Sequence, residues 1–534
     1  MRTRFIVVLG SVMSGLGKGV TTSTILKILD LYGYDALPIK FDGYLNYDCG
    51  TMNPYRHGEV FVLDDKSEVD MDFGTYERFL NKNLTGESSI TGGKLFSEII
   101  DKERKGEFLG QDIQMIPHLS DMIIRKLETL GEKKKADVIV VEVGGTVGDI
   151  ENNYFIESMR QLSLKHRTLF VDVTYVPELD VVGEQKTKPT QTAFRDIMAR
   201  GIAPDFIVCR SDKPITDSAK KKIALYTNID ESRIIDSHDL DTVYEVPINF
   251  MKQKVDKEIL KLLGLKIRKI NKKKFGLFKS KVDSILLSSN SEIAVGIVGK
   301  YVDLKDSYVS VKEALLHAGV YADVKVKIKW IESETLEKGN VGDVLINLDA
   351  IIVPGGFGKR GTEGMINAIR YARERRLPFL GLCLGMQLMA IEYARNVCSI
   401  KNASSSEFDP KTKDKVIDLM PEQRGVKYSG GTMRLGAWDC KITGKDTIAY
   451  NAYKSRVISE RHRHRYELNN KYRLVLKKHG LIISGVTTDG RLVEMIEWSK
   501  GFGVGTQAHP ELKSRLERPS PLFVSLLEAA KGPL

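Results

Sequence analysis

The stretch Phe5-Ile-Val-Val-Leu-Gly-Ser-Val-Met-Ser-Gly-Leu-Gly-Lys-Gly-Val-Thr-Thr22 sets the fold class of the first half of the chain. Its apolar run, Phe5 to Leu9, stops at a glycine and reads as a parallel strand buried on both faces. Glycines and Lys18 follow, and then a helical stretch from Thr21 to Tyr32. A strand, a glycine-rich loop and a helix in that order can hold phosphates on backbone N–H groups and the helix N-terminus, with the lysine as a point charge. The Walker A pattern itself fails, because Val12 stands where its first Gly would be and Gly19 where Ser or Thr would bind the metal. A glycine turn without a ligand is the alternative. The same run is too short for a secretory or membrane-spanning segment, and no such segment is read elsewhere.

Working outward, strand-like runs at Val138 to Val143, Thr168 to Val173 and Phe206 to Cys209 alternate with helical stretches such as Thr192 to Arg200. A second glycine-bounded run, Ala294-Val-Gly-Ile-Val-Gly299, opens another series at Ala350 to Val353, Pro378 to Leu382, Leu481 to Gly485 and Gly503 to Gln507. Two consecutive α/β domains are the economical reading, and 534 residues exceed what one core serves. Five scattered cysteines with no CxxC pair point to a reducing compartment.

The net charge of +11 is concentrated. Between Lys252 and Lys281, twelve Lys and Arg oppose Asp256 and Glu258, a local net of +10. The flanking domains are therefore nearly neutral, which argues against a generally basic, nucleic-acid-binding surface. The Lys-rich stretch from Lys266 reads as a linker.

Candidate chemistry in the first half lies where open α/β sheets bind ligands, at strand ends. Lys40 ends an apolar run and is either a phosphate contact or an ordinary strand-end lysine. Asp70, Asp72 and Glu142 are oxygen ligands of the kind magnesium needs. Glu142 closes a strand-like run, a Walker B character.

In the second half, Leu380-Gly-Leu-Cys-Leu-Gly-Met-Gln387 places Cys383 inside G-x-C-x-G after an apolar run. Small flanking residues permit the sharp turn of a nucleophile elbow, although a buried core cysteine is the bland alternative. His509-Pro-Glu511 supplies a base and its orienting carboxylate. The turn Pro354-Gly-Gly-Phe-Gly358 could donate an N–H to an oxyanion beside that of Leu384. Cys, His and Glu in this order suit a thiol amidase. The cluster Glu460-Arg-His-Arg-His-Arg-Tyr466 puts His462 and His464 on one strand face, but no further ligand completes a zinc site. An arginine there that binds an amino acid's carboxylate is the better reading.

These strings, together with Gly50-Thr-Met-Asn-Pro-Tyr-Arg-His-Gly-Glu-Val-Phe61, Glu142-Val-Gly-Gly-Thr-Val-Gly-Asp-Ile-Glu151, Gly183-Glu-Gln-Lys-Thr-Lys-Pro-Thr-Gln191 and Gly430-Gly-Thr-Met-Arg-Leu-Gly436, resemble the CTP synthase family over essentially the whole chain. The resemblance implies two doubly wound α/β domains: a P-loop-like, Rossmann-like synthase domain at 1–265 and a class I glutamine amidotransferase domain at 292–534, with the basic linker at 266–291. It implies a cytoplasmic enzyme in which ATP phosphorylates O4 of UTP and ammonia from glutamine displaces the phosphate at C4. Ser14, Gly15, Leu16, Gly17, Lys18, Gly19, Lys40, Asp72, Arg210, Asp239 and Leu240 would then meet ATP, and Asp72 and Glu142 would hold Mg2+. Ser14, Asp149, Ile150, Glu151, Lys186, Thr187, Lys188, Pro189, Thr190, Gln191 and Lys222 would bind UTP or the feedback inhibitor CTP. Cys383, His509 and Glu511 would be the glutaminase triad, with Gly356 at the oxyanion and Gln387, Glu407 and Arg465 on glutamine. Arg360 and Arg434 would be linked to activation by GTP, and Pro54, His57 and Val60 to the ammonia gate. A homotetramer assembled through the synthase domains follows from the resemblance, as does a capacity to form filaments.

Three positions depart from the family pattern. Ser11 replaces a glycine, Gly43 stands where proline is usual, and Ser404 replaces an asparagine. The family's proline implies that Gly43→Pro would be neutral or would stabilise by roughly 0.4–1 kcal/mol. Two rivals from other classes are a self-assembling scaffold without catalysis and a polyanion binder acting through the basic linker. Retention of Lys18, Asp72, Glu142, Cys383, His509 and Glu511 opposes the first. The second predicts strongly salt-dependent binding.

Overall fold

The computed structural model describes residues 3–179, 183–287, 291–423 and 430–532. Its compact units are interleaved in the chain: Met1–Asp48 with Thr75–Leu286, and Cys49–Gly74 with Leu287–Leu534.

In the first unit the apolar runs form β1 (Arg4–Gly10), β2 (Ala36–Asp42), β3 (Ser89–Thr91), β4 (Val138–Val143), β5 (Thr168–Tyr175), β6 (Phe206–Ser211) and β7 (Ile234–His238). They make one parallel sheet in the order β7-β6-β5-β1-β4-β2-β3. Alternate residues of β1 face opposite sides, and Phe5, Val7 and Leu9 join Ile139, Val141 and the helix residues Ile123 and Phe155 in one core. The chain runs from β1 to β2 on one side and later returns through β5 on the other. The loop after β1 therefore emerges where the strand order reverses, the ligand position of open α/β sheets. That loop leads into α1 (Lys18–Leu31), while α2 (Lys188–Met198) carries the later Lys-Pro-Thr-Gln segment.

Part of the stretch read as a linker is helical: α3 (Lys272–Leu286) buries Phe278 and Val282. Lys27 of α1 sits 4.4 Å from the Phe278 ring centroid, and Lys274 pairs with Asp30 at 3.1 Å. The basic run is thus docked on the first unit, and its residues 288–290 lie outside the described residues.

Gly43 corrects an expectation. A Cβ there would lie 2.4 Å from Asn152 Oδ1 and 2.8 Å from the backbone oxygen of Glu151. The family's proline is therefore not accommodated here, because this loop packs directly on backbone that cannot give way cheaply.

The second unit carries β8 (Glu292–Gly299), β9 (Lys325–Glu332), β10 (Ala350–Val353), β11 (Phe379–Leu382), β12 (Arg434–Ile442), β13 (Val457–His464), β14 (Ile482–Thr487), β15 (Val493–Glu497) and β16 (Gly503–Thr506). Their order is β9-β8-β10-β11-β16-β15-β14-β12-β13. The first five strands in that order are parallel, and the rest add antiparallel. Ile351 and Val353 face a core with α5 (Thr362–Arg375) and α6 (Leu384–Asn396), whereas Ala350 and Ile352 face one with α4 (Val309–Ala322) and α7 (Pro521–Ala530).

Residues 49–74 belong to this unit and bring two ion pairs to it. Asp64 meets the fully buried Arg461 at 2.6 Å, and Glu68 meets Arg463 at 2.7 Å.

Candidate active sites

Three neighbouring strand ends of the second unit build one site. Cys383 follows β11 with φ 51° and ψ −98°, an unfavourable conformation for a residue with a side chain and one typical of functional turns. The flanking glycines are sterically required: a Cβ on Gly381 would lie 2.7 Å from the backbone of Gly385, and one on Gly385 would lie 2.1 Å from Val353 O. The Cys383 N–H donates to Thr506 O of β16 at 2.7 Å, which fixes the elbow against the strand that leads to His509. Cys383 and His509 line one cavity of about 80 Å3 with the Pro354–Phe357 turn after β10. A Cβ on Gly355 would stand 2.7 Å from the His509 ring, so only glycine lets the turn approach the imidazole.

Within that cavity, Glu511 Oε1 lies 2.7 Å from His509 Nδ1, leaving Nε2 for the sulfur. Burial pushes the His509 ring down, but Glu511 and then Cys383 outweigh it and hold the imidazole well above the usual histidine range. The Cys383 thiol itself points toward Arg463 O at 3.8 Å.

Around this centre the expected glutamine contacts are placed separately. Gln387 on α6 donates from Nε2 to Tyr466 O at 2.9 Å and to Gln507 Oε1 at 3.2 Å. Glu407 Oε1 accepts from the Gly358 N–H at 2.6 Å, and burial holds its carboxyl above the usual range. Arg465 donates to Gln423 Oε1 at 2.6 Å. Pro54 and Val60 line the Cys383 cavity, whereas His57 is exposed and is not among its lining residues. Arg360 donates to Tyr55 Oη at 2.7 Å and to Lys300 O, with its guanidinium near the Tyr55 and Tyr301 rings. Arg434 is buried between Glu467 at 3.2 Å and Glu494 at 2.6 Å. His462 and His464 share a face and bond to each other at 3.0 Å.

Sequence reasoning missed Lys300. It is 1% exposed and donates to Phe357 O at 3.0 Å and to Gly358 O, anchoring the glycine turn. Burial pushes its ammonium down to about 8. A charged residue closing a buried strand is the signal that drew attention to Glu142, and Lys300 carries it too.

In the first unit, Gly15 and Gly17 have φ of 78° and 85°, left-handed values that suit glycine. Lys18 folds back along Gly10, where an added Cβ would lie 2.8 Å from its side chain, and donates to Gly145 O at 2.7 Å. Lys40 and Glu142 face each other on β2 and β4 as a buried pair at 2.8 Å, and Tyr76 Oη also donates to Glu142. Lys18 thus follows β1 in the same loop as Ser14, Leu16 and Gly19, and the Lys40 and Glu142 pair lies on β2 and β4 of the same sheet. Ser11, the departure in this loop, donates to the buried Asp172 at 2.5 Å.

Farther along the edge, Arg210 and Asp239 pair at 2.5 Å, with Leu240 next in sequence. Asp149 Oδ2 accepts from the Thr146 N–H at 2.6 Å, while Ile150 and Glu151 are exposed. Lys186 pairs with Glu184 at 2.6 Å, and Thr187 accepts from Gln191 at 3.0 Å at the start of α2, beside Lys188, Pro189 and Thr190. Lys222 is exposed on the helix Asp217–Thr227. Asp72, which opens the helix Asp72–Leu80, has its N–H on Asp70 Oδ1 at 2.9 Å. Among the described residues no helix is long and apolar enough to cross a membrane.

Comparison with known proteins bears on both units. The chain matches the family CTP synthase N-terminus over residues 4–265 and the family Glutamine amidotransferase class-I over residues 303–529. It is 49% identical to a CTP synthase of Pyrococcus abyssi over 534 residues, covering 99% of this chain and 98% of that protein. It is 50% identical to a CTP synthase of Pyrococcus furiosus with the same coverage. A solved glutaminase domain of Trypanosoma brucei CTPS with bound acivicin is 37% identical, with a TM-score of 0.42, and covers 45% of this chain and 94% of its own.

Proposed function

This chain belongs to the CTP synthase family, the ATP-using ligases that convert UTP to CTP with nitrogen from glutamine, and we propose that the Cys383 site releases the ammonia while the Lys18, Lys40 and Glu142 edge activates UTP. The observation that carries this division of labour is the junction of β10, β11 and β16, where a strained cysteine, a histidine oriented by Glu511 and a glycine turn line one cavity.

In the glutaminase half His509 Nε2 takes the thiol proton, and the thiolate adds to the carboxamide carbon of glutamine. Backbone N–H groups of Gly356 and Leu384 receive the oxyanion. The imidazolium returns the proton to the leaving nitrogen, ammonia departs, and water hydrolyses the thioester to glutamate. With its Nε2 committed to Tyr466 O and Gln507 Oε1, Gln387 offers substrate its acceptor oxygen, which suits the α-ammonium group. The substrate carboxylate falls to Arg465, with Glu407 supporting the turn.

In the synthase half Lys18 and Lys40 meet ATP phosphates, and Arg210, Asp239 and Leu240 lie toward the adenine. Ser14, the Asp149 to Glu151 segment, the start of α2 and Lys222 hold the pyrimidine nucleotide. The γ-phosphoryl group passes to O4 of UTP, and ammonia then displaces phosphate at C4. Glu142 offers a buried carboxylate of the hard oxygen type that magnesium prefers, and Asp72 is the other carboxylate that the resemblance implies. Magnesium bound there would neutralise phosphate charge as it is transferred.

The regulatory readings follow the same resemblance. GTP acts near Arg360 and Arg434, CTP competes at the pyrimidine site, and Pro54, His57 and Val60 gate ammonia. Exposed Leu109, Met115 and Ile116 support a tetramer built on the synthase half. Five scattered cysteines with no CxxC pair support a cytoplasmic setting.

The test is absorbance-monitored CTP formation from UTP, ATP and magnesium with glutamine or ammonium. Synthesis from both nitrogen sources is expected. Absence of synthesis from both would favour a scaffold without catalysis.

A further inference from the structure

Gln507 is fully buried one residue beyond β16, and no role was read for it in the sequence. Its Nε2 lies 3.5 Å from Cys383 Sγ, within reach of an N–H to sulfur hydrogen bond.

The orientation of that amide is set by a chain that ends on a group of known polarity. Tyr466 O is a backbone carbonyl and only accepts, so the atom of Gln387 facing it at 2.9 Å is the amide nitrogen. That same nitrogen faces the Gln507 side chain at 3.2 Å, which makes the facing atom of Gln507 its oxygen. The Gln507 nitrogen therefore points at the sulfur. Backbone contacts hold the arrangement: Gln507 N–H donates to Glu494 O at 2.8 Å, and Cys383 N–H donates to the preceding residue's carbonyl, Thr506 O, at 2.7 Å.

We propose that Gln507 is a further catalytic residue of glutamine hydrolysis, whose amide donates a hydrogen bond to the Cys383 thiolate and is aimed by Gln387. This rests on the reading of Cys383 as nucleophile. While the sulfur carries its proton it donates to Arg463 O. Once His509 has taken that proton, the negative sulfur accepts from Gln507 instead. A hydrogen bond to an ionised acceptor is among the stronger ones, and its loss is felt by the thiolate far more than by the thiol. Gln387 thereby has two duties, contacting substrate and fixing the direction of the donor.

The test compares the pH dependence of iodoacetamide alkylation of Cys383 in the full-length protein and in Gln507→Met, with Cys383→Ser as the background. Methionine is similar in length and has no donor. The expected result is a midpoint about one pH unit higher, alkylation at neutral pH slowed about tenfold, and a matching fall in kcat for glutamine with KM little changed. Gln507→Glu, which keeps the shape but places a carboxyl group beside the sulfur, should slow alkylation at alkaline pH at least as much. It carries the test if the methionine variant melts early. Profiles that coincide with the unsubstituted protein would overturn the role of Gln507. Glutamine-dependent activity surviving in Cys383→Ser would instead overturn the nucleophile assignment beneath it.

Discussion

The Ser11 hydroxyl donates to Oδ1 of Asp172 at 2.5 Å, joining the glycine-rich loop after β1 to the middle of the neighbouring strand. Asp172 is fully buried in β5, and its other oxygen has no hydrogen-bond partner. A departure from the family pattern therefore has a structural role here, since a glycine at position 11 would leave this carboxyl without its donor.

The pair predicts a pH-dependent mutant effect. Burial pushes the Asp172 carboxyl up from 3.8 to about 7, with Ser11 opposing the rise. The folded state thus keeps a proton that the unfolded chain has lost, so this group's contribution to stability falls as pH rises from about 4 to about 7 and then levels off. Ser11→Ala should cost about 1.5–3 kcal/mol at pH 8, where the acceptor is charged, and about 0.5–1.5 kcal/mol at pH 6. Denaturant melts at the two pH values check this, and equal losses would contradict it.

Gly43→Pro should lower stability by about 1–3 kcal/mol, because its Cβ meets Asn152 and the Glu151 backbone. ATP-dependent synthesis should fall with it, since the loop follows Lys40. An unchanged or higher melting temperature would show that the loop can take the path its relatives use.

The buried Lys40 and Glu142 pair separates stability from chemistry. Lys40→Met alone removes the ammonium that Glu142 faces in a buried pair, and should cost about 3–5 kcal/mol. Adding Glu142→Leu should recover most of that loss, because a buried pair replaced by apolar groups is often neutral. Neither variant should make CTP from glutamine or from ammonium, with losses of about 100-fold or more. Recovery of synthesis in the double variant would remove both residues from the phosphate site.

Lys300 should give glutamine-dependent synthesis an alkaline limb. Its ammonium is held near 8, so the anchor on the Pro354 to Gly358 turn weakens as pH rises through that value. Lys300→Arg, charged throughout, should lose the limb, and the ammonium-dependent rate should have no falling limb there. A pH series with both nitrogen sources decides, and a limb unchanged in Lys300→Arg would assign it to another group.

Much of this architecture was legible because apolar runs such as Val138 to Val143 are bounded by loops and buried on both faces, and the elbow at Cys383 announces itself through its two glycines. The antiparallel half of the second sheet was less legible. β13 buries Arg461, His462 and His464, and their alternation in the sequence does not show which partners they meet. The same holds for residues 49–74, which belong to the second unit and meet it through pairs of residues some 400 positions apart, such as Asp64 with Arg461 and Glu68 with Arg463. Lys300 and Gln507 are single residues with no motif, and only the fold shows what they touch.

The most direct measurement is CTP formation by Cys383→Ser with each nitrogen source. If the proposed thiolate serves only to release ammonia, glutamine-dependent synthesis should disappear while ammonium-dependent synthesis stays near the unsubstituted rate. Equal loss with glutamine and ammonium would contradict the assignment of two separate sites.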